Sequence, residues 1–236
     1  MSRLVPLTDD DYPAEDDQPM AETPFHAQVV TLFQQALEDF FAGRADVFLA
    51  SDINWYWEEG NLDAVVAPDT LVAVGVEPKP LADRRCYFQW REGGVVPALV
   101  FEAASKSTWR ADLAGKMEQY QALGVPEYVV YDPQARYLRK NPLRLFRLSR
   151  GQYRPVRPVD GAFPSRLGLR LRAEGELLRV IDGRTGQPIL TRRERAEAER
   201  QRATEAERLT AYHQGRADAL AAEVERLRAL LGNPPP

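Results

Sequence analysis

The chain has 236 residues, 44% of them hydrophobic, which is enough for one substantial domain and an appendage, and its net charge of -4 argues against indiscriminate nucleic-acid binding. No apolar run approaches the roughly 18 residues of a membrane-spanning helix, and the N-terminus is acidic where a signal peptide would be basic, so we expect a cytoplasmic protein without membrane contact. A single cysteine and two histidines exclude an internal disulfide and a Cys/His zinc cluster, so any metal must be bound by oxygen.

The first part of the chain combines an arm, a helix and short strands. Residues 1–23 are acidic, contain three prolines and have no sustained periodicity, which predicts a flexible or loosely docked arm. From Thr23, a candidate N-cap before Pro24, apolar residues at helical spacing predict an amphipathic helix that ends near Gly43. Short strands are expected at residues 47–50, 64–67 and 72–76.

Three aromatic residues stand close together in a predicted polar loop, residues 52–61. They are Trp55, Tyr56 and Trp57. Such a cluster could stack on nucleic-acid bases, or it could fill a core or an interface.

The middle of the chain predicts a central strand followed by a helix. Residues 97–104 form an apolar run interrupted by Glu102, as in a strand that is buried on both faces. A helix over residues 112–123 is expected to stop at Gly124, before a strand over residues 127–131. Further short β segments follow, up to about residue 188. This order predicts an α/β fold with a central mixed β-sheet flanked by helices.

The C-terminal part changes character from Thr191, where Arg, Glu and Ala dominate. Apolar residues recur there at alternating spacings of four and three: Leu220, Val224, Leu227 and Leu231. The pattern predicts a helix of about 40 residues, or about 60 Å, that pairs as a coiled coil. The last two heptads carry this pattern, whereas the upstream core positions are mostly alanine and are interrupted by Gly215. The alternative is a single charged helix stabilised by Glu–Arg pairs.

The predicted organisation therefore has four parts: an arm over residues 1–23, an α/β domain over residues 24–188, a coiled-coil helix over residues 189–231 and a disordered tail over residues 232–236.

Two carboxylates, Asp69 and Glu102, stand on short hydrophobic strands, where a carboxylate is costly without a partner. When two carboxylates converge, a divalent cation usually binds between them and offsets their mutual repulsion, so the pair predicts a metal site. A lysine two residues after the acid could stabilise charge on a phosphate, but that position is Ala104. Lys106, on the same strand face if the strand continues, and Lys116, in the next helix, could take this role.

These residues belong to a longer set with a specific order and spacing. The set comprises residues 51–60, Val66-Ala67-Pro68-Asp69, Val100-Phe101-Glu102, Ser105, Ser107, Thr108, Asp112, Lys116, Tyr120, residues 124–128 and Asp132. It resembles the Uma family, a branch of the PD-(D/E)xK nuclease superfamily, over roughly residues 24–182. The family's Ser-Pro-Ser-Thr turn is kept except for its proline, which is Lys106 here.

The resemblance implies a restriction-endonuclease-like core and a metal-dependent endonuclease. Asp69 and Glu102 would be the metal ligands, and Lys116 would take the catalytic lysine role. Mg²⁺, or Mn²⁺, needs no histidine, because two carboxylates, a strand carbonyl and a substrate phosphate suffice. Metal-activated water would hydrolyse phosphodiester bonds in DNA, and a dimer formed through the C-terminal helix would place two sites on a duplex. Alternatively, Asp112 and Lys116 could simply form a salt bridge within the helix.

Three further residues are candidate substrate contacts: His26, Ser105 and Lys106. His26 could act as an acid–base group or contact a phosphate, but a surface or capping histidine is the alternative. Lys106 could add a phosphate contact or merely remove a turn constraint. Two other functions fit the same residues: a catalytically silent nuclease-fold module in DNA binding or assembly, and a hydrolase of other phosphoesters.

Overall fold

The computed structural model describes residues 7–8, 11–14, 23–105, 109 and 113–232. The chain divides into two compact units, residues 1–189 and 190–236. The α-helices whose bounds lie within the described residues are α1 (Pro24–Phe40), α2 (Gly115–Ala122) and α3 (Arg192–Leu230). The strands are β1 (Val47–Ala50), β2 (Trp55–Tyr56), β3 (Val65–Val66), β4 (Thr70–Val74), β5 (Tyr87–Phe88), β6 (Leu99–Ala103), β7 (Glu127–Tyr131), β8 (Leu143–Ser149), β9 (Gln152–Pro155), β10 (Phe163–Pro164), β11 (Leu169–Glu174) and β12 (Leu177–Asp182).

The helix α1 begins at the predicted cap. The Thr23 hydroxyl accepts the backbone N–H of His26 at 3.1 Å, and Pro24 occupies the first turn, where its missing N–H is not needed. The apolar face buries residues at helical spacing: Val29, Val30, Phe33 and Leu37. This packing holds the first turn of α1, and with it His26, against the central sheet.

The central sheet has six strands in the order β1-β4-β6-β7-β8-β9. Strands β6 and β7 are parallel, and the other neighbours are antiparallel. All five residues of β6 are buried, which fits its interior position. The predicted mixed sheet is therefore confirmed. One face packs on α1 and the β10–β12 hairpin region, and the other packs on α2 and β2.

The predicted loop with three aromatic residues contains a strand, so that prediction was wrong. Trp55 and Tyr56 form β2, which pairs with β3 and runs parallel to β5. Both side chains are buried and therefore cannot stack on bases. The error arises because a strand of only two residues has no periodicity to detect, whereas aromatic residues favour a pleated, half-buried surface.

The described part of the N-terminal arm docks on this small sheet. Tyr12 is buried, with its ring 5.0 Å from the ring of Tyr56 and 5.1 Å from that of Phe88. The carbonyl of Pro13 accepts hydrogen bonds from the Asn54 amide and the Tyr56 hydroxyl, both at 2.9 Å. Residues 12–13 are thus held by an aromatic pocket and by paired polar groups.

The second unit contains a helix of 39 residues that starts with a capping box. Thr191 accepts the N–H of Glu194, and Glu194 accepts the N–H of Thr191. The helix continues through Gly215 without a break, since one glycine costs only about 1 kcal/mol relative to alanine. Residues 233–236 of the predicted tail lie outside the described residues. Among the helices described, none is long and apolar enough to cross a membrane.

Candidate active site

Asp69 lies beside β6 because β4 and β6 are antiparallel neighbours. Thr70 pairs with Phe101, and one further step in this register places Asp69 opposite Glu102. The backbone N–H of Ala103 donates to Oδ2 of Asp69 at 2.7 Å. Strand pairing therefore brings the two predicted carboxylates to one end of neighbouring strands and fixes one of them through the backbone.

Glu102 is buried, with its side chain 1% exposed, and both of its carboxylate oxygens have partners. The Lys116 ammonium lies 2.8 Å from Oε2, and the Tyr120 hydroxyl donates to Oε1 at 2.6 Å. Lys116 and Tyr120 share one face of α2 because they are four residues apart. The structure thus brings Lys116 to the second carboxylate, whereas position 104 is a buried alanine.

Tyr120 is a site residue to which the sequence analysis assigned no role. Burial, followed by the charge of Glu102, raises the pKa of Tyr120 well above its usual value, so the hydroxyl stays protonated and donates to Glu102. The ring of Trp55 lies parallel to the Tyr120 ring, with centroids 6.4 Å apart. Its spacing of four from Lys116 is the feature of the sequence that could have identified Tyr120.

His26 faces the site, so its interpretation as a surface histidine is wrong. Its ring Nε2 lies 3.2 Å from Oδ2 of Asp69 and 3.1 Å from the carbonyl oxygen of Ala103. The hydrogen bond to Asp69 raises the pKa of His26 to about 9; burial opposes this rise, and the charges of Asp69 and Asp52 add to it. Its other ring nitrogen, Nδ1, is buried without a hydrogen-bond partner in the part of the chain that the structure describes.

The oxygen atoms of this site suit a hard divalent cation. Oδ2 of Asp69 and the carbonyl oxygen of Ala103 converge on a single nitrogen of His26, so two oxygen acceptors already face one point. Within the described ranges, no group of three His, Cys, Asp or Glu side chains could hold a metal. An ion at this point would meet Oδ2 of Asp69 and the carbonyl oxygen of Ala103, and Glu102, opposite Asp69 on the neighbouring strand, is the predicted second carboxylate. Mg²⁺ accepts such a set because it usually retains several waters.

The remaining predicted residues divide between described and undescribed positions. Ser105 is buried just after β6, and its carbonyl accepts the N–H of Trp109 at 3.2 Å. Lys106 and Asp112 lie outside the described residues, together with Ser107 and Thr108. The structure therefore describes Ser105 near the end of β6 and leaves Lys106 a prediction.

Two acidic residues in the set that resembles the Uma family, Asp132 and Glu127, have partners away from the Asp69–Glu102 site. Asp132, just after β7, accepts the backbone N–H groups of Tyr137 and Leu138 at 2.6 and 2.7 Å. Glu127, at the start of β7, is buried and binds Arg147, with Oε1 2.8 Å from its guanidinium. Glu127 is at the amino end of β7, whereas Glu102 is near the carboxyl end of β6. Since β6 and β7 are parallel, the two carboxylates lie at opposite ends of this strand pair, and Glu127 is not part of the site at Glu102.

The match to a family model agrees with the sequence resemblance. The Uma2 family model, described as "Putative restriction endonuclease", matches residues 16–174, which is more than half of the chain. A crystal structure from Anabaena variabilis, described as "a putative nuclease belonging to DUF820", has a TM-score of 0.44 and 10% sequence identity, and the match covers 60% of this chain and 72% of that one. No curated protein matches the sequence at a significant level. From the extent of the family match, the chain belongs to the Uma2 family of restriction-endonuclease-like proteins.

Proposed function

We propose that this protein is a divalent-metal-dependent endonuclease that hydrolyses phosphodiester bonds in DNA. The observation that carries the proposal is the contact between Lys116 and Glu102, 2.8 Å apart, beside a second carboxylate held at the end of the next strand. A lysine at a carboxylate pair can neutralise charge that grows on a phosphate. Family membership supports the same reaction class.

Asp69, Glu102 and the carbonyl of Ala103 would hold Mg²⁺ or Mn²⁺. Such an ion lowers the pKa of a bound water and polarises a phosphoryl oxygen. Lys116, whose side chain is 26% exposed, can meet both the buried Glu102 and a phosphate that approaches from solvent. Tyr120 orients Glu102 through its hydrogen bond, and the backbone N–H of Ala103 does the same for Asp69. The chain's own residues thus fix both carboxylates before substrate binds.

The C-terminal helix supports a dimer as the working form. None of its residues is buried, and its apolar stripe is exposed: Leu220 by 60%, Val224 by 46%, Leu227 by 49% and Leu231 by 84%. A helix of this length in water normally gains its stability from packing of an apolar face. Pairing with a second copy would bury the stripe, and two sites would then be available to cut both strands of a duplex.

Metal titration together with plasmid nicking tests this function. Calorimetry with Mg²⁺ and Mn²⁺ should show binding to the wild type and a loss of binding in Asp69→Asn and Glu102→Gln. Both variants should also lose nicking of supercoiled plasmid. Asp160→Asn is the matched control, because this carboxylate is 88% exposed and is remote in the chain from the site residues. Metal-independent nicking, or undiminished activity in both site variants, contradicts the proposal.

One observation favours the alternative of a catalytically silent module. Both oxygens of Glu102 are already engaged by Lys116 and Tyr120, as in a buried ion pair that serves stability alone. Such a module would bind DNA without cutting it. The same experiment separates the two functions, because a silent module shows neither calorimetric metal binding at Asp69 nor nicking.

A further inference from the structure

A strongly basic segment follows the site along the chain. Between Pro133 and Ala173 there are ten arginines and one lysine but only one acidic residue, Asp160. The whole chain nevertheless has a net charge of -4, so its positive charge is concentrated here while other segments are acidic. Charge of one sign gathered in one region creates a local potential that the net charge conceals.

The register of the central sheet connects this segment to Glu102. Glu102 pairs with Val130 on β7, and Val130 pairs with Arg144 on β8. Residues directly opposite each other in neighbouring strands project from the same face of a sheet. Glu102 and Arg144 therefore stand in one row, two strands apart, with backbones separated by roughly 10 Å at the usual strand spacing.

Arg157 extends this row beyond the edge of β8. The backbone N–H of Val156 donates to the carbonyl of Leu145 at 2.8 Å, so the chain continues alongside β8 after β9 ends and brings residue 157 beside residue 144. Arg144 and Arg157 both line a surface groove of about 330 Å³, together with Asn141, Phe146, Pro155 and Phe163. Two guanidinium groups thus flank one groove at the edge of the sheet.

The loop between β7 and β8 adds three exposed cations at the same end of the sheet: Arg136, Arg139 and Lys140. This loop leaves the carboxyl end of β7, which is the end where Glu102 lies on β6. None of these three cations, nor Arg144 or Arg157, has a carboxylate partner among the described residues. By contrast, Arg147 on the other face of β8 is paired with Glu127. The charges on the site side are therefore available to a ligand.

We propose that these five residues form a track for the phosphate backbone of DNA, leading from the site over the loop between β7 and β8 to the groove between Arg144 and Arg157. Val130, between Glu102 and Arg144 in the row, is fully buried, so the DNA would follow the exposed loop and not the sheet face. The proposal rests on the proposed function for the identity of the polyanion. A DNA strand has one phosphate per about 3.4 Å of helix axis, so roughly 10 to 15 Å measured parallel to that axis corresponds to about three to four phosphates of one strand. The track binds DNA outside the scissile bond and without base contacts, so it confers affinity and position but no sequence preference.

Binding of a fluorescein-labelled 30-base-pair duplex to the full chain, measured by anisotropy in EDTA at several NaCl concentrations, tests the track without any cleavage. Arg144→Gln combined with Arg157→Gln should weaken binding about tenfold and lower the slope of log K against log salt by about 2. The matched control is Arg150→Gln combined with Arg154→Gln, which removes two charges from the same hairpin, at its turn and on its other face. This control should bind nearly as tightly as the wild type.

Charge-preserving Arg144→Lys combined with Arg157→Lys should restore most of the affinity and the salt slope, which distinguishes a phosphate contact from damage to the groove. Equal losses in the Arg144/Arg157 and Arg150/Arg154 pairs, or no DNA binding by the wild type, overturn the track. Because the assay contains EDTA, its result is independent of metal binding and nicking. A protein that binds through this track but never nicks would contradict the proposed nuclease activity alone.

Discussion

The ammonium of Lys116 on α2 lies 2.8 Å from the carboxylate of Glu102 on β6. The helix α2 therefore supplies the cation that position 104, two residues after Glu102, does not. Ala104, two residues after Glu102, is buried at 6% exposure. A lysine placed there would have to reach solvent or a carboxylate from a crowded position. The helix places the same charged group beside the same carboxylate while its stem stays partly in water.

Lys116→Met should abolish this arrangement while keeping the side-chain length. Nicking is expected to fall about a hundredfold or more, since removal of one preorganised charge-stabilising group has an effect of this size. The buried Glu102 would lose its cation, so we also expect the free energy of unfolding to fall by about 1 to 3 kcal/mol. Plasmid assays and urea unfolding measure the two effects.

The double variant Glu102→Gln with Lys116→Met separates stability from chemistry. It removes both charges, so urea unfolding should show stability recovering above that of Lys116→Met, while nicking stays absent. Recovery of nicking together with stability would mean that neither Glu102 nor Lys116 takes part in catalysis and that their ion pair is only structural.

The hydroxyl of Tyr120 is proposed only to orient Glu102, and Tyr120→Phe tests this role. Oε1 of Glu102 would lose a donor in a buried site, with an expected cost of about 1 to 3 kcal/mol in the free energy of unfolding. Nicking should decrease, but less than in Lys116→Met, because the cation remains. Tyr153→Phe is a matched control: its buried hydroxyl donates to the carbonyl of Val125 at 2.9 Å, so it should lose similar stability without losing activity. Equal activity of the two variants would argue against a positioning role for Tyr120.

The elements with long apolar patterns could be predicted from the sequence. The helix α1 follows from Thr23, Pro24 and its apolar periodicity, and β6 follows from a continuous apolar run, because each pattern reports local structure directly. The pair Asp69 and Glu102 was also predicted as a site, since two carboxylates on apolar strands need a partner. The helix and the strand depend on residues close together in the sequence, whereas the position of Asp69 opposite Glu102 depends on the pairing of β4 with β6.

The parts that could not be predicted depend on packing between distant segments. His26 meets the Ala103 carbonyl across a separation of 77 residues, and nothing near His26 in the sequence indicates this contact. The docking of Tyr12 against Tyr56 likewise joins an irregular arm to a strand of two residues. The row from Glu102 to Arg144 requires the order and register of three strands, which the pattern of each strand alone does not specify.

The pKa of His26 predicts how the stability of the metal-free protein depends on pH. Its folded-state pKa of about 9 lies above the unfolded value of 6.5, so its contact with Asp69 stabilises the fold fully below pH 6.5 and is lost as the pH rises through about 9. In EDTA, the difference in the free energy of unfolding between the wild type and His26→Gln should shrink over this range, by at most about 3 kcal/mol. His213→Gln, on the exposed C-terminal helix, is the control. A difference that is constant from pH 6 to 10 would show that His26 does not change its charge in this window.

The exposed stripe of α3 predicts the oligomeric state. Leu220→Glu combined with Leu227→Glu places two carboxylates on the face that would be buried in a coiled coil, where unpaired charges are costly. Light scattering coupled to gel filtration should then give the monomer mass of 26.7 kDa, whereas the wild type should give about twice that value. Ala222→Glu combined with Ala229→Glu adds the same charges at the same spacing on the opposite face of the helix, and it should remain dimeric.

If two sites cut a duplex in one event, the monomeric variant should still nick plasmid but produce less linear product at equal nicking, because the second strand must wait for a separate encounter. The Ala222/Ala229 variant should keep the wild-type ratio of linear to nicked plasmid. A monomeric wild type would refute the dimer without affecting the site, since Asp69, Glu102 and Lys116 all belong to the first unit. Unchanged linear product from a variant shown to be monomeric would mean that each copy cuts both strands alone.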